Sequence, residues 1–153
     1  MGSREQRLIE LGYLLDSIPK EGSLVDALSI SGKMLYASGQ VPFDGETLTS
    51  IGKVPSQVTE ENAYKAAALC AANALRTVSR HLGSLDAIQR VVRITGYVNS
   101  DGDFTRQHLV INGASQLVRD VFGEEGRHAR TALGMAQLPL GSSVEIEMIL
   151  ELK

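Results

Sequence analysis

The order of periodicities along this chain predicts a two-layer α+β domain, with two helices on one face of a mixed sheet. Three observations carry that expectation. The alanine-rich run from Thr59 to Gly83 repeats apolar residues at intervals of three and four, as one face of a helix does. Ile88–Val98 and Ser143–Leu152 alternate apolar and polar residues, as half-buried strands do. Shorter segments around them complete the order β-β-α-β-α-β-β after a helical N-terminal extension over residues 1–20.

Each element has its own signal. Residues 3 to 12 read as a short amphipathic helix that Ser3 can cap, with Leu8, Ile9 and Leu11 as its apolar patch and Gly12 as its interruption. Pro19 and Gly22 mark Ser17–Gly22 as a loop. Ala27–Ile30 and Met34–Ser38 form a strand pair around Gly32, which supplies the positive φ of a hairpin turn. Phe43–Val54 is a polar loop with two glycines. Thr59 is an N-cap, followed by Glu60 and Glu61, whose charges suit a helix N-terminus. Tyr64, Ala68, Ala71, Leu75, Val78 and Leu82 form that helix's stripe, and Gly83 its C-cap. On the strand after it, Val92, Ile94 and Val98 share one face, and Arg93, Thr95 and Tyr97 the other. After the Ser100–Asp103 loop, a second helix over Val110–Phe122 buries Val110, Ala114, Leu117 and Val121, and Gly123 ends it. Thr131–Leu138 and Ser143–Leu152 are the closing strands, turning at Leu138-Pro139-Leu140-Gly141. On the last strand Val144, Ile146, Met148, Leu150 and Leu152 point one way and Glu145, Glu147, Ile149 and Glu151 the other. The second sheet face is half-apolar, with Val91, Ala132 and Ile149 as examples, which implies self-association.

A length of 153 residues fits one domain spanning the chain, 1–153. A net charge of −3, with no run of lysines or arginines, argues against a nucleic-acid partner. A single cysteine, Cys70, excludes an intramolecular disulfide and suits a reducing compartment. No apolar run approaches the roughly 20 residues of a membrane span, and Met1–Gly12 has no signal-peptide core, so the expected location is cytoplasmic. His81, His108, His128 and Cys70 lack metal-ligand spacing, and no cofactor motif is present, so none is expected.

The candidate chemistry lies in the last quarter of the chain. Arg130 is either a surface or subunit-bridging arginine or a carboxylate anchor, since a guanidinium matches a carboxylate bidentately. Glu145 is either solvated on its polar face or, if a partner covers that face, an acid or base of shifted pKa. A hairpin across Leu138–Gly141 would set the two on adjacent strands, facing one small carboxylate-bearing molecule. His128, two residues before Arg130, lines the same pocket or lies outside it.

From Ala27 to Lys153 the chain resembles the YjgF-like family, the RidA-type enamine/imine deaminases once labelled L-PSP endoribonucleases. The residues that carry the resemblance are Tyr36-Ala-Ser-Gly-Gln-Val-Pro42, the Asn62–Leu82 helix with Gly83, Thr95-Gly-Tyr-Val98, Asn112, Ala129-Arg130-Thr131, Leu138-Pro139 and Glu145-Ile-Glu147. The N-terminal helix and the Phe104–Asn112 segment mark a distinct branch. The resemblance implies a chorismate-mutase-like fold and a homotrimer with ligand pockets in the clefts between subunits. It places Arg130 on the substrate-carboxylate arginine and Ser38 on the pocket serine. Glu145 falls on the glutamate that positions or activates water, and Asn112 on a pocket asparagine. The implied reaction is hydrolytic deamination of a small 2-enamine or 2-imine acid, such as 2-aminoacrylate, to a 2-keto acid and ammonia. The alternative is a non-catalytic trimer that binds a small carboxylate or keto acid; the acidic composition disfavours the older endoribonuclease label. Two departures stand out: Val25, after Ser23 and Leu24, occupies the family's tyrosine position, and Ala132 stands where a cysteine or small polar residue is common.

Overall fold

The computed structural model describes residues 1–17 and 24–153. The expected loop at Ser17–Gly22 therefore lies, apart from Ser17, outside the described residues. The elements are α1 (Ser3–Glu10), β1 (Leu28–Ser31), β2 (Met34–Gln40), β3 (Phe43–Asp44), β4 (Thr47–Leu48), α2 (Glu60–Leu82), β5 (Ile88–Asn99), α3 (Gln107–Phe122), β6 (Ala129–Met135) and β7 (Val144–Leu152). Five strands form one sheet in the order β1-β2-β7-β5-β6, antiparallel except for β5 and β6, and α2 and α3 cover one face. This is the expected mixed α+β architecture. The parallel β5–β6 pair requires a crossover, which α3 provides. The small hairpin β3–β4 lies inside what reads as a polar loop, and turns at Gly45 with φ 58°. Among the described residues no helix is long and apolar enough to cross a membrane.

The caps of α2 follow the sequence. The Thr59 hydroxyl accepts from the Asn62 backbone N–H at 3.1 Å, and Gly83 closes the helix at φ 80°. Its burial is wider than one stripe. Every residue from Cys70 to Val78 is buried, whereas Tyr64 at the end of the expected stripe is exposed. Small alanines let the sheet, α3 and the N-terminal segment pack around the helix's middle. In α1, Ser3 is not the cap. Gly2 precedes the helix, and the Asp86 carboxylate accepts from the Ser3 N–H at 2.9 Å and from its hydroxyl at 3.2 Å. A carboxylate from the α2–β5 connection thus fills the capping role. Buried Glu5 accepts from the Leu85 N–H and, at 3.1 Å, from the Ser79 hydroxyl, holding α1 on the domain beside fully buried Leu8. The second helix starts earlier than its stripe suggests, at Gln107, and β6 stops at Met135.

Strand β5 departs from simple alternation. Ile88, Val91 and Ile94 are all fully buried, at intervals of three. Two single-residue bulges against β7, between Ile88 and Arg90 and between Val91 and Arg93, each rotate the strand by one extra residue. Val91 is therefore a core residue and Val92 is not, the reverse of strict alternation. Ala132 also packs against the core, because it pairs with Gly96. Of the three residues expected on the second sheet face, only Ile149 lies there, in a row with Tyr36 and Arg93. Exposed Tyr36 and Leu133 keep that face partly apolar.

Two glycines set the position of α3. A Cβ on Gly113 would collide with the Tyr64 carbonyl of α2, and one on Gly96 with the Ile111 side chain. The helix lies against α2 and β5 with no room for a methyl group. Gly113→Ala, which in an open helix gains about 1 kcal/mol, should here cost about 1–3 kcal/mol. Urea unfolding checks this, and an unchanged or raised midpoint would contradict the packing.

Candidate functional site

Seated this way, α3 presents Asn112 and Ser115, three residues apart and hence on one face, above the edge strand β6. Arg130 rises from β6 beneath them. Its Nη1 donates to the Asn112 Oδ1 at 2.8 Å and to the Ser115 Oγ at 3.2 Å. His128, on the approach to β6, places Nε2 2.9 Å from the same Ser115 hydroxyl and Nδ1 2.6 Å from the Gly126 carbonyl. The cluster is half-buried at the sheet edge.

The donors and acceptors define one proton order along this chain for a neutral His128. A guanidinium only donates and a carbonyl only accepts. With Arg130 and Gly126 at the ends, Ser115 accepts from Arg130 and gives its own proton to His128 Nε2, and His128 gives its Nδ1 proton to Gly126. In this order the imidazole is neutral. Burial depresses its pKa, the guanidiniums of Arg130 and Arg119 add to this, and the Gly126 bond opposes them. Burial also lowers the pKa of Arg130. Among the described residues the Nε and Nη2 groups of Arg130 make no hydrogen bond, so that edge of the fork is open.

Glu145 and Ser38 lie elsewhere. The strands of Arg130 and Glu145 are not adjacent, because β5 runs between β6 and β7. Arg130 pairs with core-facing Ile94, whereas Glu145 pairs with Tyr97 on the opposite face. The Leu138–Gly141 turn thus leads into a strand two places away, and the expected meeting of the two side chains does not occur within one chain. Glu145 forms a second cluster on the outer face. The bulge of β2 against β7 spans Ser38 and Gly39, and Gly39 abuts the Glu145 carboxylate so closely that a Cβ would collide with it. The Ser38 hydroxyl donates to the Asp26 carbonyl at 2.7 Å, fixing the segment that carries exposed Val25. Tyr97 donates to Glu147 at 2.9 Å beside Glu145. Burial, and then the Glu147 charge, raise the pKa of Glu145. Among the described residues no group of three or more His, Cys, Asp or Glu is placed to hold a metal ion.

Of the residues expected to line one pocket, Arg130 and Asn112 are in contact, and His128, whose place the sequence leaves open, reaches them through Ser115, whereas Ser38 does not join them. The sequence reading missed Ser115, although the i, i+3 spacing from Asn112 was there to find it. It also missed Tyr97 and Glu147, whose alternation with Thr95 and Glu145 puts them on the outer face.

The raised pKa of Glu145 has a signed consequence. The folded state favours its neutral form, so its contribution to stability is full below the ordinary carboxylate pKa and lost as pH rises through the folded value. Glu145→Gln should therefore stabilise the protein relative to wild type at about pH 7–8 and lose that advantage near about pH 4. Urea midpoints of both proteins at the two pH values check this; an equal difference at both would contradict it.

Comparison with known proteins agrees with this architecture. Residues 5–152 match the model of a family described as YjgF/chorismate-mutase-like candidate endoribonucleases. Protein TCP17 of Trypanosoma cruzi is 43% identical over 123 residues, covering 80% of this chain and 77% of that protein. The structure of Atu1372 from Agrobacterium tumefaciens, of unknown function, is 45% identical with a TM-score of 0.90, covering 98% of this chain and 92% of that one. A candidate endoribonuclease from Shewanella oneidensis is 28% identical with a TM-score of 0.93, covering 99% and 100%. RidA from an Antarctic Psychrobacter is 25% identical with a TM-score of 0.60, covering 90% and 95%. The chain therefore belongs to the YjgF/chorismate-mutase-like family.

Proposed function

We propose that the protein hydrolyses small 2-imine or 2-enamine acids to 2-keto acids and ammonia, in clefts between copies of a homotrimer. The observation that carries the reading is the state of Arg130. Asn112 and Ser115 pin Nη1 and leave the Nε/Nη2 edge unpaired among the described residues. That edge binds carboxylates side-on, as Arg106 shows with Glu60 in this same chain. In the proposed cleft Arg130 of one chain holds the substrate carboxylate, and Glu145 of another orients and deprotonates water. Hydroxide adds to the C=N carbon, and the nitrogen takes a proton. Glu145 then takes the carbinolamine's hydroxyl proton and passes it to the nitrogen as the C–N bond breaks, so that ammonia leaves and the carboxylate is regenerated. A carboxylate with a raised pKa suits both transfers, and no cofactor is needed. The division of residues between two faces of the sheet supports a composite site, because Arg130 and Glu145 can serve one substrate only from different copies. The net charge of −3 gives the alternative of RNA cleavage no electrostatic basis.

The imine can be generated by a serine or threonine dehydratase and keto-acid release followed. Arg130→Ala, losing two charge-assisted hydrogen bonds of about 1.5–3 kcal/mol each, should lower kcat/KM on the order of a hundredfold or more. Wild type matching the spontaneous rate would overturn the activity. Mixing unfolded Arg130→Ala and Glu145→Gln chains and refolding them together should partly restore turnover absent from either alone. Failure of the mixture, with both variants folded and co-assembled, would overturn the composite cleft.

A further inference from the structure

The Arg130–Ser115–His128–Gly126 chain has a second chemical meaning, which does not depend on imine hydrolysis. A serine in mid-helix ordinarily bonds back to a carbonyl of its own helix. The Ser115 Oγ instead lies 2.9 Å from His128 Nε2, within reach for a neutral imidazole to accept its proton, and receives a hydrogen bond from Arg130 at 3.2 Å. His128 is held by the Gly126 carbonyl at 2.6 Å in the tautomer that leaves Nε2 basic. A hydroxyl, a base within hydrogen-bond reach and a third group that orients the base are the parts of an activated nucleophile. Here a backbone carbonyl takes the place of a carboxylate. Arg130 adds a fixed positive charge beside Oγ, which favours the alkoxide, and its open Nη2 offers a donor to a developing oxyanion. His128 remains a neutral base because the charges facing it, Arg130 from β6 and Arg119 from α3, are both cationic.

We propose that Ser115 is a nucleophile, and that this edge of the molecule carries acyl-transfer activity toward small activated esters. In the first step the Ser115 oxygen attacks the ester carbonyl carbon while His128 Nε2 takes the hydroxyl proton. The C–O bond to the leaving alcohol then breaks, and the alcohol departs with the proton from His128. In the second step His128 deprotonates water, which attacks the acyl-serine. The carboxylic acid leaves, and the proton returns to Ser115. Atoms balance with ester and water alone. Ser115 and His128 are half-buried, so part of each remains open to solvent.

The test uses the intact protein with a fluorophosphonate probe and with p-nitrophenyl acetate. Intact mass should show one adduct per chain, with fragmentation placing it on Ser115, and p-nitrophenolate release should begin with a burst. Ser115→Ala should abolish both. His128→Gln should slow labelling about a hundredfold or more, with circular dichroism confirming its fold. If that variant does not fold, the pH profile of wild-type labelling replaces it. The rate should then fall on acidification, with a midpoint below the ordinary histidine value of about 6.5. Labelling of wild type no faster than Ser115→Ala, an adduct on another residue, or a flat pH profile would each overturn the proposal.

Discussion

The pairing of β5 with β7 at the centre of the sheet is the constraint on which the other features depend. It sets fully buried Ile94, Ile146, Met148 and Leu150 into one apolar surface for both helices. It also puts β5 between β6 and β7, although the latter two are consecutive in the chain. Once β6 is parallel to β5, the intervening chain must cross over the sheet, and α3 is the segment that does so. Close packing at Gly96 and Gly113 then leaves α3 one position, with Asn112 and Ser115 above the sheet edge. The geometry around Arg130 thus follows from strand order and from two missing side chains, rather than from any contact made by Arg130 itself.

The same strand order divides the polar chemistry in two. On the helix side of the edge strand, a cation is held by neutral groups and keeps unspent donors. On the outer face, two carboxylates, Glu145 and Glu147, are partly desolvated side by side, and one has gained a Tyr97 hydroxyl. Each arrangement is electrostatically incomplete alone: one has donors without an anion, and the other has like charges without a cation. Neither can satisfy the other within one chain. The outer surface is also partly apolar, through Tyr36, Leu133 and Ile149.

Where periodicity alone decides structure, the sequence was sufficient. The caps of α2, the stripe of α3 and the alternation of β7 all follow from local rules, and Thr59, Gly83 and Glu145 occupy the roles those rules assign. It was insufficient where one residue's placement depends on another element. The bulges of β5 that exchange Val91 for Val92 arise from its pairing with β7. Asp86, not Ser3, completes the start of α1 because the α2–β5 connection passes beside it. The pairing of Arg130 with Glu145 across a hairpin was the natural inference from two strands joined by Leu138–Gly141, since consecutive strands usually lie side by side. Nothing local reports that β5 has been inserted between them. For the site, the family resemblance singled out Arg130 and Asn112 and proximity in sequence offered His128, whereas Ser115 becomes visible only once its helical spacing from Asn112 is combined with the position of α3 over β6.

The proton order at Arg130 ties the parts of the site together. Because Arg130 can only donate and Gly126 can only accept, a neutral His128 between them carries its proton on Nδ1 and accepts from Ser115 at Nε2. Protonation of His128 would make Nε2 a donor and turn the Ser115 proton away from it, and would add a third cation to Arg119 and Arg130. The added charge opposes the imidazolium, in the same direction as burial. An anion bound on the open edge of Arg130 would reverse part of this balance by offsetting the guanidinium charge, and so raise the proton affinity of His128. By reciprocity, protons then favour anion binding. The basicity of His128 is therefore not a fixed property of the fold. It depends on whether Arg130 is occupied, so anion binding at the anchor and protonation of the base are linked.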